Sequence, residues 1–355
     1  MNILLHGATN WGSSNFGDVI YADQVARHIA RIADGAIVQI AEPSEFVSKW
    51  MPSFVAKGIS ISHADALVYI PGGYFGEGHS SGLLNNLIHF LRFFPVGLRA
   101  VWSKVPIAII GIGAGPINSL LFRLPIKSIC SHAEVITVRD HESYVALREL
   151  GILNVTEAFD LILAMDLKSA VKPCGKIRAL RMRYPNKKML FVHFNHSEIA
   201  SEMFASAVVK FMKAHPEYLV ITGFDQVFKD AEERMQRYLD RVPDAHVIDY
   251  EDPYELVDVL QQCDCVLTCK LHVGVVAAMF GKSVVCAAEH PEKTQRFFNA
   301  IGQGERCASL YSANENDVMG MLQRFNDVPI IIPDELYESA MKSWRLLDTF
   351  LESIG

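Results

Sequence analysis

The chain has 355 residues, of which 50% are hydrophobic and 21% charged. That composition can bury a large core, which excludes disorder as the main state, and the length favours two domains. The formal net charge of −7 excludes the basic balance expected of a dedicated nucleic-acid binder, so an anionic ligand would need local cations and helix ends.

Buried strands are predicted at MNILLHG, ALVYIPGG, PIAIIGIG and EVITVRD, each an apolar run closing on glycine or a polar residue. Helices are predicted at Gly17–Ile32, Leu83–Ala100 and His141–Leu150. A polar stretch from Lys168 to Lys187, with Pro173, Gly175 and Pro185, reads as a linker. The alternation then resumes. KMLFVHF, YLVITGF, HVIDY, CVLTC and SVVCAA read as strands, with helices at Glu198–Ala214, Asp230–Leu239, Pro253–Gln262, Gly274–Phe280 and Pro291–Ile301. One long amphipathic helix, Asp334–Ile354, follows Pro333. Strand–helix alternation implies parallel sheets covered on both faces. The expected organisation is α/β: a Rossmann-like domain over 1–170 and another over 186–330, facing a cleft, with 333–355 packing back on the first. A single large sheet with insertions is the alternative.

The seven cysteines are odd in number and irregular in spacing, which suits reduced thiols in the cytoplasm better than disulfides. The first residues run straight into a strand and do not read as a signal peptide. No apolar run reaches the roughly 18 residues of a spanning helix. Cys263, Cys265, Cys269 and His272 superficially resemble a metal set, but no second ligand pair answers them, and buried thiols are the better account.

Six segments carry candidate chemistry. Gly7 to Asp18 follows the first strand and opens a helix, with Asn15, Gly17 and Asp18 at the helix start; an anion site and an ordinary capped loop both fit. The dinucleotide and P-loop fingerprints are absent. Pro71–Gly78, including Gly72 and Gly73, and Gly111–Pro116 are glycine-rich loops after strands, open to close backbone approach. Val138-Arg139-Asp140 with Ser143 ends a strand; Arg139 suits an anion or an ion pair with Asp140 or Glu142. Thr268-Cys-Lys270-Leu-His272 with Gly274 ends another, and Lys270 and His272 project together if the strand persists. Glu289-His290-Pro291-Glu292-Lys293 ends a third. Finally, Leu83–Leu98 and Leu120–Ile129 mix Leu, Ile and Phe with Arg92, Arg99, Arg123 and Lys127. That mixture suits an anionic membrane surface, but a helix face packed on a sheet shows the same pattern and is the commoner case.

The ordered set resembles the polysaccharide pyruvyl transferase family. The resembling residues are Gly7, Asn15, Gly17, Asp18, Gly72, Gly73, the Gly111–Pro116 loop, Val138–Asp140, Ser143, Gly151, Phe159, Asp160, the Lys270-Leu-His272 turn with Gly274, Ala277 and Ala278, and Lys293. The resemblance implies a fold similar to GT-B glycosyltransferases. It also implies transfer of a pyruvyl group from phosphoenolpyruvate to hydroxyls of a surface polysaccharide or its lipid-linked precursor, giving a pyruvyl ketal. It implies no cofactor beyond that donor, no metal and no nucleic acid, and a cytoplasmic place, peripheral at the inner membrane surface if the membrane reading holds. Lys270 stands where the family usually has arginine. Phe191-Val-His193-Phe-Asn195-His196 stands where many members carry another, which brings His193 and His196 into consideration for the anion. On this reading His272 and Asp18 are the acid–base candidates. Asn15, Gly17, Gly72, Gly73, Arg139, His193, Lys270 and Lys293 bind substrate. Two alternatives are a GT-B glycosyltransferase using a nucleotide sugar, with Glu289 or Glu292 at the ribose, and a non-catalytic sugar- or anion-binding protein.

Overall fold

The computed structural model describes residues 1–11, 15–55, 60–77, 82–194, 197–224, 231–250 and 252–355. The chain divides into two compact units, Met1–Met165 with Asp334–Gly355, and Asp166–Pro333.

The first unit is built on seven strands: β1 (Asn2–His6), β2 (Ile37–Ile40), β3 (Ala66–Tyr69), β4 (Gly72–Phe75), β5 (Ile107–Ala114), β6 (Val135–Val138) and β7 (Val155–Glu157). Their order is β2-β1-β3-β5-β6-β7, all parallel. β3 and β4 are two halves of one broken strand. β3 pairs with the start of β5 (Leu67 opposite Ile107), β4 with its end (Phe75 opposite Ala114). The glycine-rich segment after Tyr69, expected as loop, is thus partly strand, because all eight residues of β5 are buried and need a neighbour on that side. Gly111, at φ +61°, takes up the register shift that β5 makes between Ile109 and Ile112.

The helix Phe16–Ile32 covers one face, capped by Asn15, whose side chain accepts from Gly17 N at 2.9 Å. The final helix, Asp334–Ile354, lies against it: Trp344 stacks on His28 at 4.1 Å and donates Nε1 to Ala164 O at 3.0 Å. The expected single helix over Leu83–Ala100 is two, Leu83–Phe93 and Pro95–Ser103. Pro95 has no N–H to continue the first and suits the opening turn of the second.

The second unit has six parallel strands: β8 (Lys188–His193), β9 (Tyr218–Thr222), β10 (His246–Val247), β11 (Cys265–Thr268), β12 (Ser283–Ala288) and β13 (Cys307–Ser309). Their order is β10-β9-β8-β11-β12-β13. The stretch Lys168–Lys187, read as linker, instead carries the helix Gly175–Arg183, which packs in this unit. Asp258, fully buried, anchors it by accepting Cys174 N at 2.8 Å and Arg178 Nε and Nη2 at 2.7 and 3.0 Å. Burial alone would raise this carboxyl, but those bonds hold it below the usual carboxylate range. All seven cysteines are buried free thiols, and burial pushes Cys265 up to about 12. Among the described residues no group of three His, Cys, Asp or Glu is placed to hold a metal ion.

His6 closes β1 inside the core, donating Nε2 to Phe93 O at 3.1 Å. Burial above all, with the positive charge of Arg92, pushes its pKa down to about 4 against the partial support of that hydrogen bond. Between the unfolded value and about 4, the unfolded chain binds a proton that the folded chain refuses. Stability therefore falls as the pH drops through that window. His6→Gln, which retains a donor for Phe93 O, removes this component. Relative to wild type, the variant should gain roughly 2–3 kcal/mol on going from about pH 7 to about pH 4.5. Urea unfolding at both pH values checks it; a difference independent of pH would contradict it.

Candidate functional site

In each unit the strand order reverses at one place, and there the connections leave in opposite directions and open the carboxyl ends of two neighbouring strands. In the first unit these are β1 and β3; in the second, β8 and β11.

At the first, Asn15, Gly17 and Asp18 start the helix after β1, and Gly72 and Gly73 follow β3. Asn15 spends its side-chain oxygen on the cap. Gly72 is glycine because the Tyr74 ring lies where its Cβ would be, 2.4 Å away. Tyr74 donates to Ile70 O at 2.5 Å and stacks on Phe93 at 4.6 Å. Arg92, which no local motif marks as part of this strand end, reaches back to the β1 loop. Its Nε and Nη2 donate to Asn10 Oδ1 and O, both at 3.0 Å, and Asn10 Nδ2 donates to Arg92 O at 2.7 Å. The Asp18 carboxylate opposes the lowering that burial imposes on Arg92. Asp18 and Arg92 thus form an acid–cation pair of charges at this strand end.

Arg139 extends from the end of β6 across β5. A Cβ on Gly113 would sit 2.8–2.9 Å from its guanidinium, which is why β5 carries glycine there. Arg139 is buried, with Nε 3.6 Å from Asp140 Oδ2. Tyr21, also buried, donates to Asp160 Oδ1. Burial and the Asp160 charge hold its hydroxyl well above the usual tyrosine range, with Arg139 opposing them. Asp140 and Ser143 do framework work. Asp140 accepts Ser143 N and Oγ at 2.8 and 2.6 Å, and Ser143 Oγ accepts Ala114 N at 2.8 Å, locking a helix start to the end of β5.

At the second switch point His193 ends β8 opposite Thr268 of β11. The His193 ring nitrogen Nδ1 is 3.2 Å from Thr268 Oγ1, which also accepts Lys270 N at 3.0 Å. β11 stops at Thr268, so Lys270 is the residue before the helix Leu271–Met279 and His272 its second residue. The strand geometry that would have aligned their side chains does not persist. Lys270 Nζ instead turns to Glu289 Oε2 at 2.6 Å, both groups nearly buried, which ties the end of β11 to that of β12. Lys293 follows in the first turn of the helix Pro291–Ala300. His193, Lys270 and Glu289 are thus joined by short links, with His272 two residues on from Lys270. His196 lies outside the described residues. Glu289 as the partner of Lys270 escaped sequence reading, since 19 residues and a helix separate them.

A family model described as polysaccharide pyruvyl transferase matches residues 15–291. The chain belongs to that family. No curated protein matches it. Among solved structures it is similar to a UDP-GlcNAc 2-epimerase from Neisseria meningitidis bound to UDP-GlcNAc, with 12% identity, a TM-score of 0.61, and 99% of this chain and 100% of that one covered. A putative UDP-N-acetylglucosamine 2-epimerase from Listeria monocytogenes gives 11% identity and a TM-score of 0.66, with 99% and 97% covered. One from Methanocaldococcus jannaschii gives 11% and 0.65, with 98% and 99% covered. At such identities the likeness is one of fold, and it makes this pyruvyl transferase family member GT-B-like, with two Rossmann-like domains.

Glycines of these strand-end segments are explained by the protein packing on itself. At Gly76 a Cβ would meet Pro116 O at 2.8 Å and Gly115 C at 2.9 Å, across a ladder in which Glu77 N donates to Pro116 O at 2.8 Å. Backbone cannot step aside as a side-chain tip can. Gly76→Ala should therefore cost about 1–3 kcal/mol. Gly175→Ala, at a helix start with open space around it, should change stability by less than about 1 kcal/mol. Denaturant midpoints of the two variants check the contrast.

Proposed function

We propose that this protein transfers a pyruvyl group from phosphoenolpyruvate to two hydroxyls of a saccharide, free or lipid-linked, forming a pyruvyl ketal. The observation that carries the reading is the set of ionisable residues at two neighbouring strand ends of the second unit, within a chain of this family: a lysine and a histidine at the helix start after β11 and a second lysine at the helix start after β12. A donor bearing both a carboxylate and a phosphate calls for such cations.

The reaction balances without a further reagent. One sugar hydroxyl adds to C2 of the enol as a proton is delivered to the methylene carbon, making a methyl group. Phosphate then leaves with the C–O bonding pair, and a second hydroxyl takes its place, its proton passing to solvent or phosphate. His272 is assigned the proton transfer to carbon, since imidazole exchanges protons near neutral pH. Lys270 and Lys293 are assigned the donor's anionic groups. An ammonium has three donors, so Lys270 can keep Glu289 and still bind an oxygen of the substrate. His193 orients this edge through Thr268. In the first unit Asp18 is assigned the acceptor hydroxyl, as base or as orienting acceptor, with the Gly72–Gly73 backbone beside it. Arg139, buried against Gly113, is assigned a positioning role through Tyr21 and Asp160.

Phosphate release from phosphoenolpyruvate against a panel of glycan and lipid-linked acceptors tests the reading. Turnover of a UDP-sugar with release of UDP, and none of phosphoenolpyruvate, would favour nucleotide-sugar chemistry on the same fold. Binding of phosphoenolpyruvate or a saccharide without turnover of either donor would favour a binding protein. His272→Ala should lower kcat by about 10²–10⁴-fold with little change in the KM for phosphoenolpyruvate. Lys293→Ala and Lys270→Ala should mainly raise that KM, because their partners are charged in the ground state as well as in the transition state. Near-normal turnover by His272→Ala would remove it from the mechanism.

A further inference from the structure

The helix Leu83–Phe93 is amphipathic in the opposite sense to a helix that merely covers a sheet. Its inner side packs by Phe90 and Phe93. Its outer side carries Leu83, Leu84, Leu87, Ile88 and Leu91, all exposed, Leu83 at 88% and Leu84 at 70%. At about 3.6 residues per turn these five span roughly 140° of the helix surface, a continuous apolar face. The helix Leu120–His132 lies beside it, with the His89 and Phe122 rings 5.6 Å apart. Here Leu120 and Leu124 are exposed at 70% and 66%, and Arg123 and Lys127 share their face. Trp102, 88% exposed, stands one turn after the exposed Arg99 and two residues before the exposed Lys104. The packing of helix faces on the sheet therefore accounts for the inner residues of these segments and leaves this set unexplained.

Charge says what the set faces. The chain has 40 acidic residues, yet none lies between Glu77 and Glu134, while that stretch holds Arg92, Arg99, Lys104, Arg123 and Lys127. Arg92 is committed to Asn10. Among the described residues none of the other four pairs with a carboxylate. Glu77 at the margin is spent on Asn118 N and Ser119 N, at 3.0 and 2.8 Å. An exposed apolar face rimmed by cations and free of acids, on a protein of net charge −7, complements an anionic lipid surface. A second copy related by a two-fold axis would instead bring this face against itself, with no acid in the run to meet its cations.

We propose that this face, formed by the exposed sides of the helices Leu83–Phe93 and Leu120–His132, docks on an anionic phospholipid bilayer, the leucines entering the headgroup boundary and the cations meeting lipid phosphates. No described helix is long and apolar enough to cross a membrane, so the contact is peripheral. The inference stands on this surface alone and does not depend on the transfer reaction.

Co-sedimentation of the full chain with vesicles tests it. Binding is expected to vesicles containing phosphatidylglycerol at low salt, to weaken with added salt, and to be much weaker to pure phosphatidylcholine. Leu84→Glu/Ile88→Glu, which touches only exposed positions, should abolish binding while leaving the melting temperature unchanged. Arg123→Glu/Lys127→Glu should weaken binding to the anionic vesicles by about tenfold or more, and reads the proposal independently should the first variant fold poorly. Absence of binding to phosphatidylglycerol at low salt would overturn it, as would binding that neither variant changes. Sedimentation of the vesicle-free protein as a dimer that Leu84→Glu/Ile88→Glu dissolves would also overturn it, assigning the face to a second copy.

Discussion

A parallel pair of strands cannot be closed by a tight turn. Each strand must return across a face of the sheet before its neighbour can begin, and the crossings share one hand. Every named pairing in both sheets is parallel, so the whole chain is bound by that rule. Crossings that leave to one side of β1 or β8 and later to the other must part somewhere. They part between β1 and β3 and between β8 and β11. The rows of carboxyl ends collect the glycines, cations and histidines for that reason, and the family resemblance gathers at these ends.

What holds those ends is a set of polar links between residues remote in sequence. Tyr21 meets Asp160 across 139 positions, Arg92 meets Asn10 across 82, and Lys270 meets Glu289 across 19. The first ties the helix after β1 to the segment after β7, the second ties the helix Leu83–Phe93 to the loop after β1, and the third joins the ends of the neighbouring strands β11 and β12. The two units resemble each other in this, but differ in what fills the switch point. In the first, Tyr74 stacks on Phe93 and lies against Gly7 and Gly72, and the Asp18 charge acts on Arg92. In the second, the small helix Leu271–Met279 brings little bulk, and the side chains there are ionisable.

Much of this was legible in the sequence, and the reason is burial. β1, β3, β5 and β6, and β8, β9, β11 and β12, are runs of apolar residues whose side chains are hidden on both faces, so each stands out without regard to its partners. Three of the missed strands are edges. Ile37–Ile40, Val155–Glu157 and Cys307–Ser309 are three or four residues long with a neighbour on one side only, and none is buried along its whole length. The helix Glu315–Phe325 also went unread, although Asn314 and Asp317 form its capping box. At the sites, residue types were legible and partners were not. A lysine after a buried strand announces a charge at a strand end. That Glu289 answers Lys270, or that Tyr74 explains Gly72, depends on which strand ends lie side by side, and strand order is not written in any local window.

The segment Leu83–Leu98 shows where periodicity itself is silent. Apolar residues fill both sides of this helix. A heptad-like count cannot say which side faces the sheet, because Phe90 and Phe93 satisfy the inner face as well as the leucines would. The charge pattern is not silent in the same way. A helix that only covers a sheet has no need to exclude carboxylates from its neighbours, since acids and bases serve equally on a solvated rim. Excluding them over the whole run from Gly78 to Ala133, through two crossovers and a central strand, constrains the surface and leaves the core indifferent. The outward leucines are a feature of the structure and the missing acids one of the sequence, and the two meet in the same two helices.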